Sequence, residues 1–105
     1  MASRLPVGWK GINPLDIERY AGGDPYKIVR SDLDTIADCA ALLALIDEPS
    51  WGTAMEIRLA YERGIPVIGW QAKTSGHSVS PWLQVHCSLI TSSWADLDKF
   101  LGELE

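Results

Sequence analysis

Long apolar runs are missing from this sequence. The longest, Ala40–Ile46, falls far short of the ~20 residues needed to span a bilayer, so no membrane partner is expected. The opening stretch Met1–Trp9 lacks the apolar core of a secretory signal, and a cytoplasmic protein is expected. Cysteine is scarce. Cys39 and Cys87 lie far apart in apolar stretches, where buried free thiols, rather than a disulfide, are the expectation for a chain that is not exported. No Cys/His grouping has the spacing of a metal site, so neither a metal nor another cofactor is expected. Basic residues are outnumbered, nine Lys and Arg against fourteen Asp and Glu, for a net charge of −5. Neutralising a phosphate backbone needs clustered cations, so nucleic-acid polymers are excluded as partners. Repeats, low-complexity tracts and linkers are also lacking.

What the chain does contain is ordinary globular composition over 105 residues, 47% hydrophobic and 22% charged, enough for one domain with its own core. Five tryptophans are many for this length. They suit core and interface anchors, or platforms for a planar ligand.

The patterning alternates. Lys10–Asn13 reads as a brief extended piece. Asp24 then caps a helix with Pro25 at its first position, and Ile28, Val29, Leu33, Ile36 and Ala37 fall on one face of it. Ala40–Ile46 reads as a strand buried on both faces, like a central parallel strand. Thr53–Arg63 is expected to be helical, with Gly64 after its end and Pro66 stopping it. Ile65–Trp70 is the next strand, and Gln71–Pro81 a polar loop. Val85–Thr91 is expected as a further strand carrying His86, and Ser93 caps a last helix with Leu97, Phe100, Leu101 and Leu104. Strand–helix alternation of this kind implies an α/β fold, a parallel sheet with flanking helices joined by right-handed crossovers. Ligands in such folds bind beyond the carboxyl ends of the strands, which directs attention to Asp47–Glu56.

That segment leads from a strand end through Gly52 to a helix start. Glu56 is expected in the first helical turn, where the macrodipole favours its ionised form. An ionised carboxylate facing a ligand there can attack an electrophilic carbon. Equally, Thr53-x-x-Glu56 has the form of a capping box, in which the glutamate bonds back to the Thr53 amide. Spacing alone leaves both readings open.

The runs Ser31–Ile36, Ala37-Asp38, Leu42–Asp47, Gly52-Thr-x-x-Glu56-Ile57 and Gly64-Ile-Pro-Val-Ile68, with Ser80-Pro-Trp82 and His86, together resemble the nucleoside 2-deoxyribosyltransferase family from about Asn13 onward. The resemblance implies a flavodoxin-like fold and a double displacement. The glutamate matching Glu56 attacks C1′ of a deoxyribosyl group, the base leaves, and a second base or water takes the sugar, as in retaining glycosidases. The aspartate matching Asp32 would move protons to and from the base, while Asp34 and Asp38 read as solvated or capping acids. A nucleoside or nucleotide is the implied ligand, and a homo-oligomer the implied assembly.

Several positions depart from the family pattern. The strand ending in a Tyr-Leu-Ala-Gly-Pro-like stretch has no counterpart, so the fold is expected to be N-terminally shortened. Ser50 stands where transferases carry a sugar-positioning aspartate, which favours hydrolysis or another acceptor. Arg58 replaces a usual glycine and suggests a 5′-phosphate partner, or a plain surface arginine. His77 and Ser78 occupy the place of the asparagine that family dimers exchange. Trp51 is a candidate for stacking on a base. Trp82 is a candidate for the substrate site or an anchor elsewhere, and His86 reads as a structural histidine or a site residue. The competing reading is a nucleotide-binding or interaction module of the same fold without turnover. A related phosphoribohydrolase motif fits less well, because Glu48-Pro-Ser-Trp-Gly52 lacks its Pro-Gly-Gly lead-in.

Overall fold

The computed structural model describes Trp9, Gly11, residues 24–72 and residues 79–104. Within them the chain runs α1 (Pro25–Ala37), β1 (Leu42–Leu45), α2 (Trp51–Glu62), β2 (Val67–Trp70), α3 (Pro81–His86), β3 (Leu89–Thr91) and α4 (Trp94–Glu103). The three strands form one parallel sheet in the order β1-β2-β3. The expected extended piece at Lys10–Asn13 lies outside the described residues apart from Gly11, which is not in a strand.

Strand β2 is the centre. All four of its residues are buried, and ladders on both edges pair it, Leu42–Leu45 with Val67–Trp70 on one side and Ile68–Trp70 with Leu89–Thr91 on the other. The pairing continues past the strand ends, where Leu42 N–H donates to Pro66 O at 2.9 Å and Gln71 N–H to Thr91 O at 2.9 Å. Pro66 fits because it stands just ahead of the strand and contributes only its carbonyl. β1, expected as the strand buried on both faces, is instead the outer strand among the described residues, with Leu45 60% exposed. A run of apolar residues does not distinguish an edge strand covered on one face from a central one.

Alternation along the strands sends side chains into two cores. Val67 joins Ile36, Ala44, Ile57 and Ala60 beneath α1 and α2, with Leu83 and Cys87 packed against them. Ile68 and Trp70 join Leu97 and Leu101 beneath α4, with Trp9, Leu43 and Trp94 alongside. Full burial of side chains such as Ile68 and Leu97 contributes about 1.5–3 kcal/mol each. Gly69 allows the first layer to close. A Cβ there would lie 3.0 Å from Ile46 Cδ1, 3.2 Å from Cys87 Sγ and 3.3 Å from Ile90 Cγ1.

The helix ends follow their side-chain chemistry. Asp24 caps α1 by accepting from Tyr26 N–H at 2.9 Å, with Pro25 in the first turn. Gly64 adopts φ +73° just past α2, the left-handed conformation that ends helices and that glycine takes without strain. Ser93 caps α4 through Asp96 N–H at 3.2 Å, and Asp96 Oδ2 accepts from the buried Thr91 hydroxyl at 3.1 Å. One expected element changes type. Val85 and His86 end helix α3 rather than begin a strand, and β3 starts only at Leu89. Ser80-Pro81 caps that helix just as Asp24-Pro25 caps α1. Among the described residues no helix is long and apolar enough to cross a membrane.

Both cysteines are free and partly buried. Burial pushes the Cys39 thiol above its ordinary value, and the adjacent Asp38 charge pushes it further. Burial alone raises Cys87. Cys39 is also held in its S–H form by donating to Thr35 O at 3.1 Å.

Two measurements test this packing. Gly69→Ala should destabilise the chain by about 1–3 kcal/mol in urea unfolding, as overpacking does. Gly102→Ala, in α4 where an added Cβ meets nothing within 4 Å, should be neutral or stabilise by up to about 1 kcal/mol. For the thiols, a raised native value means that their contribution is present below their unfolded value and is lost as pH rises through the folded one. Near the unfolded value, iodoacetamide should therefore alkylate the native chain several-fold more slowly than the urea-unfolded chain.

Candidate site at the carboxyl end of the sheet

The carboxyl end of β1 is tied to that of β2. Ile46 N–H donates to Trp70 O at 3.0 Å, and the Asp47 carboxylate accepts from Ala72 N–H at 3.1 Å. The chain then turns through Glu48 and Pro49 into α2. Ser50 is extended, at φ −146° and ψ 126°, and its hydroxyl accepts from Thr53 N–H at 3.3 Å while its carbonyl accepts from Ala54 N–H. Ser50 is therefore the helix cap. This excludes one of the two readings of Thr53-x-x-Glu56, the capping box in which Thr53 itself would cap. It also moves Glu56 out of the first turn into the second, where the macrodipole has largely fallen away.

Glu56 is half-buried. Its carboxylate leans back along the helix, with Oε1 3.9 Å from where a Gly52 Cβ would stand, the direction in which helical side chains point. Asp32 is half-buried on α1, and α1 packs against α2, so the two expected catalytic carboxylates sit on neighbouring helices. Asp34 and Asp38 are exposed, and Asp38 is the α1 C-cap. Trp51 opens α2 almost fully in water, 92% exposed. His77 and Ser78 lie outside the described residues.

Arg58 and Trp82 belong to a different place. On an α-helix, residues two apart are about 200° apart around the axis, so Arg58 and Glu56 occupy opposite sides of α2. Arg58 instead joins Ala54, Ile57, Trp82, Leu83 and His86 in lining a groove of about 450 Å³ between α2 and α3. His86 is buried there, in a helix and not in the expected strand. Arg58 Nη1 lies 3.0 Å from His86 Nε2, and His86 Nδ1 lies 2.7 Å from Trp82 O. Arginine can only donate and a carbonyl can only accept. The ring therefore accepts at Nε2, donates at Nδ1, and is neutral. Arg58 also pairs with Glu62 at 2.7 Å and lies 5.6 Å over the Tyr61 ring.

This groove is the feature that reading the sequence missed. Its signal was Ser80-Pro81, a cap followed by a proline at the first helical position, which marks a helix where strand alternation was read. Among the described residues, no group of three or more His, Cys, Asp or Glu is arranged to hold a metal ion. Neither a protein-family model nor a curated protein matches the chain.

The cap assignment is directly testable. Ser50→Ala should lower stability by about 1 kcal/mol in urea unfolding, whereas Thr53→Ala should stay within about 0.5 kcal/mol of the parent. The reverse order would restore Thr53 as the cap.

Proposed function

We propose that this chain is a flavodoxin-like, cytoplasmic enzyme acting on a nucleoside or nucleotide. It cleaves the N-glycosidic bond, or transfers the 2-deoxyribosyl group, in the manner of the nucleoside 2-deoxyribosyltransferases that its motifs resemble. The observation that carries this reading is Glu56. It is half-buried on the helix that follows β1, on the side of a parallel sheet where α/β folds bind their ligands.

In the proposed reaction the Glu56 carboxylate bonds to C1′ as the C1′–N bond breaks, and the carboxyl of Asp32 gives its proton to the departing base. Water or a second base then attacks C1′, its proton passes to Asp32, and the ester to Glu56 is cleaved, so both carboxyl groups return to their starting states. Ser50 spends its hydroxyl on the helix cap and so does not replace a sugar-positioning carboxylate, which favours hydrolysis over transfer. Trp51, exposed at the start of the same helix, stands about 140° around the axis from Glu56 and nearly in line with Arg58, so it is not assigned to the base. Arg58 is not assigned to the sugar phosphate, since it lies across the helix from Glu56. The assembly proposed is a homodimer. Tyr26, Val29 and Leu33 form an exposed apolar line on α1, 87%, 55% and 41% exposed, of the kind that marks an interface.

A second reading has a specific observation in its favour. With Ser50 as cap, Glu56 stands in the second turn of α2, away from the amides at the helix start, as suits a binding module without turnover.

Release of free base from a panel of 2′-deoxynucleosides and their 5′-monophosphates separates the two. Activity in the parent, falling by about 10³-fold or more in Glu56→Ala with its circular dichroism unchanged, is the expected outcome. No release from any substrate, or release that survives Glu56→Ala, would overturn the enzyme reading.

A further inference from the structure

We propose that the groove between α2 and α3 is a second binding site, separate from Glu56, for a small aromatic anion: a planar ring carrying a carboxylate or phosphate. The proposal stands independently of the reading of Glu56. The groove's volume of about 450 Å³ lies within the range of small-ligand pockets. Its floor is apolar and well packed, with Ile57 buried and Leu83 partly so. At its rim the Trp82 ring is 76% exposed, inclined by 29° to the plane of His86 at 6.3 Å between centroids. A planar ring laid against Trp82 would cover apolar surface that water now meets.

The charge complement is Arg58, the one lining residue with a formal charge. Its guanidinium is held in place before any ligand arrives. His86 Nε2 accepts one N–H, Glu62 accepts another, and the Tyr61 ring lies beneath. The His86 ring is fixed in turn by Trp82 O and by Tyr61 at 4.6 Å between centroids. A guanidinium has five donors in a planar fork, so these two bonds leave N–H groups for a carboxylate or phosphate oxygen. Holding such a fork rigid lowers the entropy lost on binding. Glu62 does not oppose the exchange strongly. Both its side chain and that of Arg58 are more than half exposed, and solvent-exposed pairs of that kind hold only weakly. An anion beside the Trp82 ring can take the N–H groups that His86 and Glu62 leave unused.

The experiment is an NMR titration of the ¹⁵N-labelled full chain, following the Trp82 indole and Arg58 Nε–H signals. The probes are phenyl phosphate and indole-3-acetate, with inorganic phosphate and neutral indole as their separate halves. The aromatic anions should saturate both signals and bind about tenfold or more tightly than either half. Saturation by phenyl phosphate alone would name a phosphate ligand, and by indole-3-acetate alone a carboxylate; either supports the site. Arg58→Gln and Trp82→Ala, both at exposed side chains, should each weaken binding about tenfold, while Glu56→Gln leaves it unchanged. Binding of inorganic phosphate or indole as tightly as the joined probes would overturn the proposal. So would affinity indifferent to Arg58→Gln, or absence of saturation. Weakening by Glu56→Gln would show one shared site and overturn the claim of separateness, whatever base-release assays give.

Discussion

Everything in this fold leans on the burial of β2. A strand covered on both faces has no water for its amides and carbonyls, so each must find a partner in a neighbouring strand. Val67–Trp70 meet this condition through β1 and β3, and the bonds at Leu42 and Gln71 extend it beyond the strand's own ends. The positions of the helices follow. α1 and α2 cover the face that holds Val67, α4 covers the face that holds Ile68 and Trp70, and Gly69 leaves room for Ile46 and Cys87 to meet over the strand.

The same constraint positions the functional surfaces. Because β1 is tied to β2 through Ile46 and Asp47, α2 begins at a fixed height above the sheet, and Ser50 sets its first turn. A helix so placed offers two sides. One carries Glu56; the other carries Arg58 and meets α3 at His86. Residues two apart in the sequence thereby serve different environments. The helical period separates Glu56 from Arg58, and Trp82 lies with Arg58 in the groove.

Much of the architecture was legible where local chemistry and pattern agree. Asp24-Pro25, Gly64 and Ser93 marked helix ends that the structure retains, because a cap satisfies amides or carbonyls within a few residues of itself. The helix, strand and parallel-sheet character followed from apolar periodicity. Where two local signals competed, the reading failed. Thr53-x-x-Glu56 has the form of a capping box, yet the cap is Ser50, three residues ahead of Thr53, whose amide its hydroxyl accepts. Val85-His86 alternates like a strand, yet Ser80-Pro81 starts a helix that runs through it.

The sequence by itself determined most element types, most helix ends and the net acidic charge, because these depend on side-chain type and short spacing. Only the tertiary structure decided that β2 rather than β1 is the strand buried on both faces, since both are apolar and burial depends on which neighbours pair. Only it brought Arg58 to His86, twenty-eight positions away, because that meeting depends on how α3 packs across α2. The tautomer of that histidine, and the groove it lines, exist through a contact that no local pattern encodes.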